Sequence, residues 1–97
     1  MANETKLKYI ANFYGKEKQV SQLDEEMAEL TIALHELLRG KITDTHNLTE
    51  EIADVETVLY QIKILFEVNQ LEVDLIKSAK IDREIGKITK ELGYDKV

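Results

Sequence analysis

Apolar residues recur every three or four positions through most of this chain, and no proline interrupts them. That spacing puts side chains on one face of an α-helix, and only a helix makes use of it. Glycine occurs four times and cysteine not at all. With 97 residues the chain has room for one domain, expected to span 1–97. The fold class this predicts is all-α, a four-helix bundle.

Four helical segments follow. The first runs from about Glu4 to Tyr14, with Leu7, Ile10, Ala11 and Tyr14 at helical spacing and Gly15 as its terminator. The second runs from Lys16 or Glu17 to Arg39, with Gly40 where a C-terminal cap belongs. Its stripe is Val20, Leu23, Met27, Leu30, Leu34 and Leu37. The third begins near Asn47, where Asn47 and Glu50 read as a capping box; its stripe is Leu48, Ile52, Val55, Leu59, Ile62 and Phe66. The fourth begins at Asn69, with Glu72 three residues on, and runs to about Leu92 before Gly93. Its apolar residues divide between two faces, Leu71, Leu75 and Ala79 against Ile81, Ile85, Ile88 and Leu92. A helix touching two surfaces, or one bent near Ser78, fits this division, and the surplus apolar face suits a homodimer or homotetramer.

Charge narrows the function classes. The net charge of −6 disfavours general nucleic-acid binding, which needs a basic surface. One third of the residues are charged, and no apolar run approaches the roughly 18 residues of a membrane span. The N-terminus lacks an apolar signal segment, and the absence of cysteine removes disulfides, thiolate metal sites and thiol nucleophiles. A cytoplasmic setting is expected.

A shift of 25 residues lays one central helix over the other. Residues Leu23 to Leu30 fall on Leu48 to Val55, Ala33 on Val58, Leu34 on Leu59 and Leu37 on Ile62. Shared apolar positions are common to any two amphipathic helices; the acidic positions are informative. At 100° per residue, Glu26 and Glu51 each fall about 40° from the centre of their stripes, among apolar residues. Glu29 and Asp54 each fall about 100° away, at the stripe's edge. Four carboxylates gathered on two adjacent helices repel one another and lose hydration, so they require a cation. Neither helix carries a Lys or Arg at the matching angle. Clustered carboxylate oxygens suit a hard divalent ion such as Mg²⁺ or Mn²⁺. In an antiparallel hairpin the two pairs begin roughly 9 Å out of register, which the loop from Lys41 to His46 must absorb.

The motif Glu26-Met-Ala-Glu29, a spacer of residues 30–50, then Glu51-Ile-Ala-Asp54 resembles that of the MazG-like all-α nucleoside triphosphate pyrophosphohydrolases. The flanking residues fit from about Gln19 to Leu65. The resemblance implies that Glu26, Glu29, Glu51 and Asp54 are catalytic metal ligands, that Mg²⁺ is the cofactor, and that a nucleotide is the substrate. It further implies hydrolysis to a nucleoside monophosphate and pyrophosphate, in the service of clearing unwanted nucleotides. Lys80 and Arg83, within the basic series Lys77, Lys80, Arg83, Lys87 and Lys90, are the expected phosphate contacts. Gln22 is expected near base or sugar, ahead of Gln19. Glu25 and Glu50 are candidates for the general base, although surface acids look the same in sequence. A non-enzymatic helical oligomerisation module is the alternative; it explains the stripes but not the intruding acids.

Overall fold

The computed structural model describes residues 2–93, and they are almost entirely helical. Helix α1 spans Asn3–Leu38, α2 His46–Leu65 and α3 Gln70–Leu92. The four expected segments are all present, but the first two run on as one element. Only Gly15, at φ 84° and ψ 174°, leaves helical geometry between them. That backbone region is open essentially to glycine alone, so the break sits where the residue type permits it.

Helix α1 ends as the sequence suggests. The Gly40 N–H donates to the Leu37 carbonyl and the Lys41 N–H to the Glu36 carbonyl, with Gly40 at φ 74°; this is a Schellman closure. Helix α2 starts differently from expectation. It begins at His46, and Asn47 lies inside it and caps nothing. Asp44 Oδ1 accepts the His46 N–H at 2.9 Å, so an aspartate three residues upstream satisfies the free end that Asn47 was expected to serve. For α3 the cap is the expected one: Asn69 Oδ1 accepts the Glu72 N–H at 3.0 Å, and Gly93 closes the other end at φ 79°. The helix is continuous through Ser78.

The chain divides after Glu67 into two compact units. In the first, α1 and α2 pack as an antiparallel hairpin: Val20 meets Phe66, Glu26 meets Asp54 and Glu29 meets Glu51. Its most buried apolar side chains are Ala11, Ala33 and Val58. The second unit carries α3, whose Leu71, Leu75, Ile76, Ile81, Ile85, Ile88 and Leu92 are all exposed. Among the described residues, no helix is long and apolar enough to cross a membrane.

Candidate metal centre

The burial pattern of the hairpin repeats with the same 25-residue shift as the sequence. Ala33 and Val58 are buried. Leu23 and Leu48, Leu30 and Val55, Leu37 and Ile62 are half-buried. Among the acids, Glu26 and Glu51 are half-buried while Glu29 and Asp54 are exposed. This is the order expected from their angles of about 40° and 100° to the stripe. The connection 39–45 absorbs the offset between the helices, and the two acidic pairs come together.

Glu26, Glu51 and Asp54 each bring a carboxylate oxygen to within 4.8 Å of the others. Glu29 joins through its contact with Glu51. The pairing is crossed, with the inner acid of each helix facing the outer acid of the other. Burial, first, pushes the Glu26 carboxyl above the ordinary carboxylate range; the charges of Asp54 and Glu29 add to this, and a hydrogen bond from Gln22 opposes it. Burial likewise raises Glu51, followed by its hydrogen bond with Glu29 and the charges of Glu29, Asp54 and Glu26.

Glu26 Oε2 and Glu51 Oε2 are buried and have no hydrogen-bond partner. An orphaned buried polar atom typically costs about 1–3 kcal/mol, more when charged. Both belong to residues of the carboxylate cluster, and carboxylate oxygens are the donors that a hard divalent cation takes. The residues present therefore fit Mg²⁺ or Mn²⁺.

The remaining candidates fall in three places. Gln22 Nε2 donates to Glu26 Oε1 at 2.7 Å, which ties it to the carboxylates. Lys80 and Arg83 are exposed on α3, in the second unit, and Arg83 lines a surface groove with Gly86, Lys87, Thr89 and Lys90. Glu25 is exposed, and Glu50 Oε1 pairs with His46 Nε2 at 3.1 Å in solvent.

Two polar residues of this region are buried, of which the sequence placed Gln19 behind Gln22 and gave Gln61 no role. Gln19 and Gln61 are 3% and 4% exposed, the only buried polar side chains among the described residues, and Gln19 Oε1 has no partner. A signal for Gln19 existed: it falls about 20° from the centre of its stripe, a polar residue where an apolar one belongs. Gln61 carries no such mark. No family model, curated protein or solved structure matches the chain.

Proposed function

We propose that this chain is a metal-dependent nucleoside triphosphate pyrophosphohydrolase on the MazG-like plan. The observation that carries the reading is the pair of buried, unpartnered oxygens on Glu26 and Glu51, set among the carboxylates of Asp54 and Glu29. These four residues hold Mg²⁺, and Mn²⁺ suits the same oxygens. Bound there, the metal neutralises phosphate charge and lowers the pKa of water. In the reaction, a water oxygen bonds to the α-phosphorus, the bond from that phosphorus to the α–β bridging oxygen breaks, and pyrophosphate leaves with one proton released.

The chain's own groups position and balance charge, which is most of what such chemistry asks of a protein. Gln22 fixes the orientation of Glu26 through their hydrogen bond. The exposed apolar residues of α3 favour a homodimer or homotetramer in which a bundle is completed. Nucleotide clearance in the cytoplasm is the role that agrees with this chemistry.

The same exposed face of α3 favours a second reading, a helical oligomerisation module without catalysis. A turnover assay separates the two. The pure protein is incubated with ribo- and deoxyribonucleoside triphosphates in Mg²⁺ or in EDTA, and the products are identified. Monophosphate plus pyrophosphate, in Mg²⁺ only, supports the enzyme. Diphosphate plus phosphate, or no turnover on any substrate, counts against it.

A further inference from the structure

Gln19 and Gln61 are buried in the hairpin, one on each helix, and line one cavity of about 260 Å³ whose walls include Lys18 and Gln22. Gln19 lies seven residues before Glu26, and Gln61 seven residues after Asp54. In antiparallel helices those steps run the same way. The two amides therefore share a level two turns, about 10 Å, from the contact of Glu26 with Asp54. Glu29 and Glu51 meet three residues further along, so the amides and both acidic pairs are rungs of one register.

Little else in the hairpin specifies that register. Both apolar stripes repeat every three or four residues, and aliphatic side chains exchange places at little cost while volume is kept. A slip of four residues, about 6 Å, sets Glu26 against Val58, Glu29 against Val55 and Asp54 against Leu30, and every crossed pair is lost. Without metal the acids do not hold the register by attraction, since like charges repel. The amides oppose the slip. In place they border a polar cavity with room for water. After it, Gln19 faces Leu65 and Gln61 faces Leu23, and a buried amide left among aliphatic groups costs about 1–3 kcal/mol. Gln19 Oε1 accepts no hydrogen bond even in place, so the amides act through what a slip costs and not through a bond to that oxygen.

We propose that Gln19 and Gln61 are positioning residues, a buried amide layer that fixes the register of α1 on α2 and so brings the four carboxylates together. One buried polar layer sets register in paired helices in the same way, at a cost in stability. The test places nitroxide labels at Thr31→Cys and Glu56→Cys, both exposed, in a chain that has no cysteine of its own. Their separation is measured by double electron–electron resonance in EDTA, with and without Gln19→Met and Gln61→Met, which keep side-chain length and remove the amides. With the glutamines one narrow distance is expected. With the methionines a second distance should appear, displaced by about one helical turn, while the melting temperature holds or rises. Mn²⁺ affinity of the unlabelled methionine variant should fall about tenfold or more. A distance left single and unchanged by the methionines overturns the assignment, as does Mn²⁺ affinity unmoved by a displaced register. If the methionine pair fails to fold, Gln19→Leu with Gln61→Leu is measured in its place. The register is read without metal, so an unaltered chain that binds no Mn²⁺ counts against the metal site alone and leaves the distance to decide the register.

Discussion

Gln22 Nε2 donates to Glu26 Oε1 at 2.7 Å across one turn of α1, while the other oxygen of the same carboxylate is buried and unpartnered. One side chain thereby holds one oxygen of the carboxylate and leaves the second without a donor. Groups that orient a ligand in this way commonly contribute 10–100-fold in metal affinity. Gln22→Ala is expected to weaken Mn²⁺ binding by about that factor while the fold is kept. Calorimetric titration of the variant checks it; an unchanged affinity would mean that Glu26 needs no orienting partner.

Acidity gives a second expectation. Glu26 and Glu51 both have folded-state pKa values raised above the ordinary carboxylate value, in each case chiefly through burial. A carboxyl raised on folding binds its proton more tightly in the native chain than in the unfolded one. Its stabilising effect is complete below the ordinary value and is lost as pH climbs through the raised value. The metal-free protein should therefore lose melting temperature across that window. Mg²⁺ should restore it at neutral pH and displace protons as it binds. Scanning calorimetry from pH 4 to 8 in EDTA and in Mg²⁺ reads both effects; a melting temperature in EDTA that does not fall with pH would contradict the shifts, and identical curves in the two conditions would contradict the metal.

The Gly15 break joins the first turns of α1 to the rest of the hairpin. At φ 84° and ψ 174° a side chain is strained even though the space around it is open. Gly15→Ala should cost about 1–3 kcal/mol, visible as a lower urea midpoint.

Helix α3 presents Ile81, Ile85 and Ile88 to solvent at 59%, 58% and 47% exposure. An apolar face of that kind is expected to be covered by a second copy of the chain. Light scattering after size exclusion should give a dimer or tetramer, and Ile81→Glu with Ile85→Glu should reduce it to monomer. A monomeric unaltered protein would contradict the assembly.

Much of this was legible in the sequence, for identifiable reasons. Stripes with a 3.6-residue period and the cap residues Asn69, Gly40 and Gly93 located helix bodies and ends, because these features act within one or two turns. The crossed contacts of Glu26 with Asp54 and Glu29 with Glu51 were half-legible: angle placed each acid beside its stripe, but the pairing depends on how the connection 39–45 sets the register. The start of α2 was misread because Asn47 and Asp44 offer similar chemistry, and only the turn decides which oxygen meets the free N–H. Gln61 was invisible, since it lies about 120° from the centre of its own helix's stripe, where a polar residue is ordinary.

Glu26, Glu29, Glu51 and Asp54 are proposed to hold one divalent ion together. Titration of the protein with Mn²⁺, followed by electron paramagnetic resonance, tests it directly, alongside the double variant Glu26→Gln with Glu51→Gln. Saturable binding is expected in the unaltered protein and none at the same concentrations in the double variant, whose melting temperature in EDTA should rise as two like charges are removed. Saturable binding that persists undiminished in the double variant, or no saturable binding to the unaltered protein, would contradict it.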